Sequence, residues 1–465
     1  MEYIRHIKKD LCLILQWLTW KHWPMVKMSI KEHYMEMLLE QDSVVVLDLQ
    51  ELARLLSVRI VNNSKSNHRI GDFSYAYFYK NMVKKLLFAI SVMAFCGCQS
   101  SKDDSQKVCT TIHVETETMA ERVKLSEIAS GSLIVLPTSD SLLLNEINRI
   151  YMKDNFVYLA DPSSLYKFSE SGESLGHISC QGNGPEEYNN ISDFQIDGDQ
   201  AWIMSRNNKK IGRYSWNNRQ TACIDKNLWM ENIYLSGDTM YVYTGNDMGN
   251  DNSFQIHSFA IASYENMNGL HMIDKNKAEY LFIKSKNIFH QSEEGCYFNQ
   301  LFNDTVYCLT SKECKPEFVM DFEGKNIPSS FFAKKYENIM DFFQNLHKEN
   351  RFAYGIDCFM NTDKGYWVGY FYQGQYRLSF ISKSADRRQS CFGTILVDQL
   401  HNYPVNLSDM TVYVQDGNRI VIPLLPSEIM EFARTNLSED EQKDVADKIH
   451  YKDDQNPVLL VINFQ

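Results

Sequence analysis

The residues with most chemistry to offer begin at Cys180. There the chain reads Cys-Gln-Gly-Asn-Gly-Pro-Glu-Glu-Tyr, residues 180–188, a glycine-rich turn followed by two carboxylates. A loop that cradles phosphate needs backbone N–H groups and positive charge. Pro185 removes a donor, and Glu186 and Glu187 add negative charge, so this stretch is ill suited to phosphate. It reads instead as a crossover between structural units, with Gly182 and Gly184 supplying permissive backbone. Neighbouring glutamates need not face one another, which weakens a glycosidase pair.

The other reactive side chains are dispersed. The histidines at 113, 177, 257, 271, 290, 347, 401 and 450 stand singly. His257 and His271 lie a blade-length apart and are the pair that could converge, although a lone strand histidine is more often a packed core group. No metal site and no cofactor is expected. Eleven cysteines are scattered without a CxxC pair, so neither a zinc ribbon nor a thioredoxin-type site is indicated. Cys308 and Cys314 are the nearest pair beyond Cys98, and nothing in the sequence fixes a disulfide between them. The phosphate loop GxxxxGK[ST], the HExxH helix and the GxSxG elbow are all missing.

The positioning elements follow from periodicity. From about residue 125, short apolar–polar alternations are separated by turn clusters every 8–12 residues, which predicts strands throughout. Residues 191–197, 200–204, 210–216 and 219–224 read as four consecutive strands joined by tight turns. A second-strand signature recurs at 156–161, 201–205, 240–244, 306–310, 366–370 and 419–424, with spacings of 45, 39, 66, 60 and 53 residues. Four strands per unit at such a period predict a six-bladed β-propeller of antiparallel blades. The last unit supplies only three strands, and residues 132–136 supply the missing one, closing the ring without exposed edges. Two insertions look helical: 329–350, carrying Phe332, Tyr336, Ile339, Phe343 and Leu346 at helical spacing, and 427–450, with a capping box at Ser438–Glu441. Their aromatic stripes read as packing faces.

The net charge of −12 is unevenly placed. Residues 1–97 hold 13 Lys and Arg against 9 Asp and Glu, leaving 34 basic and 50 acidic residues from Cys98 onward. That surface repels phosphate backbones and excludes nucleic acid as a partner. Residues 82–97 read as a signal peptide: Lys84 and Lys85 precede an apolar run of 11 residues from Leu86 to Cys96. The run is too short for a ~30 Å hydrocarbon core. Phe95-Cys96-Gly97-Cys98 resembles a bacterial lipobox, making Cys98 the expected lipidated residue. Residues 98–124 are then a tether and 125–465 the propeller. Residues 1–81 precede the signal and read as an upstream segment outside the native protein, with translation starting at Met82.

These features together resemble the six-bladed β-propeller lipoproteins of Bacteroidetes, related in architecture to NHL-repeat propellers. That family carries G-x-G-P-G-E-Y after a first-blade strand. Here Gly182, Gly184, Pro185, Glu187 and Tyr188 match it, Glu186 stands in for a glycine, and 191–197 continue the pattern. The ending at 456–461 also looks like the family's final strand. The resemblance implies a propeller fold and an outer-membrane lipoprotein address, periplasmic or surface-exposed. It implies no reaction.

Three functions fit: a lipid-anchored binding or scaffold module for a glycan, peptide or protein; a propeller enzyme, lyase or glycoside-active, with its site at a funnel mouth; or an assembly component without a small ligand. An aromatic-lined mouth without clustered carboxylates or histidines favours the first, and three converging His or acidic side chains around the axis favour the second. The start-site reading is checked by mass analysis of the native product: no peptide from residues 1–81 is expected, and recovering one overturns it.

Overall fold

A computed structural model describes residues 109–464 apart from 119–120, 141, 226–227, 246–252, 265, 275–285, 293–294, 385–387 and 416–417. The segment 1–81, the expected signal at 82–97 and Cys98 lie outside the described residues. Six small sheets arranged as a ring form a six-bladed β-propeller. Blade one comprises Arg149–Lys153, Phe156–Ala160, Leu165–Ser169 and Ser174–Ile178. Blade two comprises Asp193–Asp197, Gln200–Ser205, Lys210–Ser215 and Gln220–Asp225. Blades three, four and five follow from Asn232, Phe289 and Ala353. The first strands of neighbouring blades touch around the axis.

The apolar runs that announce each second strand follow from this stacking. Within Gln200–Ser205, Ala201 and Ile203 pack with Tyr158, Leu165 and Ile178 of blade one. Trp202 and Met204 point the other way, onto Ile233, Met240 and Val242 of blade three. Alternate side chains therefore enter two different cores, and the strand is apolar on both faces. Tight turns set the pairing. Asp154 and Asn155 both adopt positive φ, as the favoured two-residue hairpin turn requires.

Blade six consists of Tyr413–Val414, Arg419–Leu424 and Val458–Phe464, completed by Ala129–Val135 pairing antiparallel to the last of these. The ring thus closes as the sequence predicts. The chain before it is also part of the ring. Thr110–His113 lies parallel to Cys314–Asp321 of blade four, and Glu121–Lys124 parallel to Gln389–Val397 of blade five. The expected tether at 98–124 therefore contains two outer strands, which the short alternation of TTIH and ERVK hides.

Two further readings need correction. The signature at 306–310 belongs to the third strand of blade four, Thr305–Leu309. The second is the four-residue Gly295–Phe298, too short to show a period. Turn residues such as Asn303-Asp304 mark a hairpin without saying which strands it joins. The insertion at 329–350 is not one helix but two, Ser329–Phe332 and Ile339–Glu349. Asn338 breaks the periodic run because its side chain accepts from the backbone N–H groups of Met340 and Asp341, starting a new helix there. The C-terminal pair, Pro426–Asn436 and Glu439–Lys448, keeps its capping box at Ser438 and Glu441.

The six sheets are not hydrogen-bonded to one another, so each innermost strand has a backbone edge facing the axis. Side chains satisfy it. Gln415 of blade six accepts from Met152 N–H at 2.8 Å and donates to the Ile150 carbonyl at 3.2 Å in blade one. Asn148 donates to the Ile191 carbonyl, sealing blades one and two. Asp193 accepts from Ile233 N–H and Asn232 Nδ2, sealing two and three. Asn299 donates to the Ile356 carbonyl between four and five, while between three and four the contact is between side chains, Gln300 donating to Gln255. Asn287 donates to the Asp357 and Val412 carbonyls and accepts from Val414 N–H, joining five and six.

Gln415 is only 3% exposed, so water does not replace it. Gln415→Leu is expected to strand a buried N–H and a buried C=O and to cost about 3 kcal/mol. Urea unfolding checks this; an unchanged midpoint refutes it.

Candidate functional site

The crossover loop between blades one and two is built around its own glutamate. The Glu187 side chain folds back so that Oε2 accepts from Gly184 N–H at 2.7 Å. A Cβ on Gly182 would lie 2.0 Å from that oxygen, and one on Gly184 3.0 Å away. Neither glycine has positive φ. Their role is thus to leave room for a carboxylate, not to supply the permissive backbone expected from sequence. Tyr188 is buried and its hydroxyl, which accepts from Cys180 N–H, lies within hydrogen-bond reach of the Ser163 and Ile178 carbonyls. The Pro185 carbonyl accepts from Lys210 Nζ, and the Glu186 carbonyl from Tyr214 hydroxyl at 3.2 Å. Glu186 itself is exposed and its φ is not positive, so the backbone here has no need of the family's glycine.

This loop delivers Asn190, Ile191 and Ser192 to one end of the ring. There they line a polar cavity of about 220 Å³ with Arg149, Asp193, Arg206 and Lys286. Apart from Arg206, which follows the second strand of blade two, these residues sit at the beginnings of the innermost strands or in the segments leading into them, which identifies the cavity with one mouth of the propeller. Arg149 is 9% exposed and reaches across the axis from blade one, donating through Nη1 to the Lys286 carbonyl, just before blade four, at 2.9 Å. Its Nε lies 3.7 Å from Asp193 and is buried without a hydrogen-bond partner. Arg206 pairs with Glu231 at 2.5 Å, lies over the Trp229 ring, and also has a buried, unpartnered Nε.

Lys286 also lines a second cavity of about 340 Å³, between blades five and six, whose walls are Phe343, Tyr354, Phe371, Tyr376 and Met410. Phe343 comes from the helical insertion Ile339–Glu349 that precedes blade five. The aromatic stripe expected only to pack therefore packs on one side, with Phe302 and Phe342, and lines the mouth on the other. Tyr354 is held protonated by burial, its hydroxyl shifted above the usual tyrosine range.

The remaining sequence candidates stay apart. His257 and His271 belong to one blade, in adjacent strands whose register pairs His257 with Gly269 and His271 with Ile256, so they face opposite sides. His271 packs on Tyr307 and Phe298, and burial lowers it to about 4. Burial also lowers His290, beside Asn299, to about 4. Cys308 and Cys314 are both free thiols, and their strand register places them on opposite faces. Among the described residues no group of three or more His, Cys, Asp or Glu could hold a metal.

Sequence reasoning quoted Asp193 within the 191–197 pattern but gave it no role, and it missed Arg149, Arg206 and Lys286. A carboxylate between Ile191 and Phe194 in an inner strand was the available signal; Lys286 has none. Gly182→Ala is expected to expel the Glu187 carboxylate and cost about 1–2 kcal/mol. In a Glu187→Ala background the same change should cost nearly nothing. A double-mutant cycle by thermal unfolding checks this, and simple additivity contradicts it.

No curated protein matches the chain. Among solved structures, a Bacteroides fragilis protein described as exported shares 16% identity and a TM-score of 0.60, covering 77% of this chain and 99% of that one. A DUF4221 family member from Bacteroides vulgatus shares 8% identity and a TM-score of 0.44, over 73% and 97% of the two chains. At such identities the likeness to the exported protein concerns the fold alone. The domain of unknown function DUF4934 matches residues 109–463, the span from just before the first outer strand to the closing one, and the chain belongs to that family.

Proposed function

We propose that this protein is a ligand-binding propeller of the bacterial envelope, taking a glycan, peptide or protein partner at the mouth described above. The observation that carries the reading is the pairing of a polar cavity with an aromatic one across Lys286. Binding sites of this kind combine apolar surface, which supplies affinity, with a few convergent polar groups that fix orientation. The aromatic wall meets the condition that favoured a binding module over an enzyme.

The envelope address is supported by the signal-like residues 82–97 and by Cys98 as the lipid-bearing residue at the outer membrane. The shared fold of an exported Bacteroides protein fits the same address. Among the described residues no helix is long and apolar enough to cross a membrane.

The test is a glycan and peptide array probed with the full chain and with Phe343→Ala, with reaction products followed by mass spectrometry and metal content measured in parallel. Ligands retained by the full chain should bind at least about tenfold more weakly to the variant. Ligand conversion, or stoichiometric metal bound at the mouth, would replace the binding reading with the enzyme one.

A further inference from the structure

The two cavities at the mouth differ in chemistry yet share a wall. On the polar side, Asp193 and Glu231 offset Arg149 and Arg206. Lys286 is exposed and makes no ion pair among the described residues. Within the polar cavity one positive charge is therefore left over, and the adjoining cavity that Lys286 also lines holds one carboxylate, Asp357. The Nε atoms of Arg149 and Arg206 are buried without a hydrogen bond, although each guanidinium has a carboxylate beside it.

On the other side the larger part of the wall is Leu301, Phe343, Phe371, Leu407 and Met410, interrupted by polar groups that include Asp357. Aliphatic and aromatic carbon of this kind rewards burial of an apolar body.

We infer that the mouth recognises an anion joined to an apolar body: a carboxylate at Lys286 and the Arg149 side of the polar cavity, with an aromatic or aliphatic group in the cavity between blades five and six. The inference rests on the reading of the mouth as a ligand site and narrows its occupant. The same chemistry is offered by the C-terminal residue of a peptide and by a free aryl or alkyl carboxylic acid.

The experiment is calorimetric titration of the full chain with N-acetylphenylalanine, its uncharged amide, acetate and galacturonate. A short peptide ending in phenylalanine is added with a free and an amidated terminus. N-acetylphenylalanine should bind at least about tenfold more tightly than its amide, than acetate and than galacturonate. Lys286→Ala, an exposed position that leaves the thermal midpoint unchanged, should abolish the preference for the acid over the amide. Met410→Glu, which places a like charge in the apolar wall, should weaken the acid at least about tenfold. Tighter binding of the free peptide terminus than of N-acetylphenylalanine assigns the source to peptides, and the reverse order assigns it to small acids.

Equal binding of acid and amide, or galacturonate binding as tightly as N-acetylphenylalanine, overturns the inference. If an array ligand is then lost in Phe343→Ala but ignores Lys286→Ala, only the anion assignment falls. If nothing responds to either change, the mouth is not the ligand site and both readings fall.

Discussion

A ring of radiating sheets has a problem that a stacked pair of sheets does not. Each innermost strand has hydrogen-bonding groups pointing at an axis with no strand to receive them. Leaving a buried N–H or C=O unpaired costs about 1–3 kcal/mol each. This protein meets the problem with side chains that imitate a peptide group. Gln415 offers an acceptor to Met152 and a donor to Ile150, as a neighbouring strand would. Asn287 does the same for blade six with its two ends. The apolar cores between blades supply most of the burial, but they are slippery. The amide contacts fix how far one blade slides against the next, and hence where the mouth residues stand.

The mouth inherits its shape from this arrangement. The segment leading into blade four carries Asn287 inward to blades five and six, so the adjoining Lys286 carbonyl comes within reach of Arg149 from the opposite side of the ring. A contact spanning the axis divides the opening into a polar and an aromatic part. The carboxylate of Asp193 serves both purposes. It caps the edge of blade three through Ile233 and stands beside Arg149. Seam and site therefore share a residue, and changes to one are felt by the other.

What could be read from the sequence was what repeats locally. The hairpin at Asp154–Asn155, the meander of blade two and the closing strand each carry their signal within a few residues. Glu187 and its glycines were visible as a motif, but the reason for the glycines was not, because it depends on where one side chain folds back. Gly295–Phe298 was too short to show a period, and Asn338 was hidden inside a plausible helix. The mouth was illegible for a different reason. Its residues come from several units: Arg149 opens blade one, Asp193 and Arg206 belong to blade two, and Lys286 precedes blade four. Their convergence is a property of the ring and not of any segment.

The placement of residues 110–135 has a consequence for how the chain reaches its final form. Those three strands complete blades four, five and six, and their partners begin at residues 314, 389 and 458. A chain that emerges N-terminus first presents them long before anything exists for them to pair with. They wait as unpaired strands, the kind of segment that invites wrong partners. Contacts at such separation in sequence are also slow to form. These early-made strands are thus among the last to find their places, and blades one to three can assemble while the segment that will lock the ring is still loose.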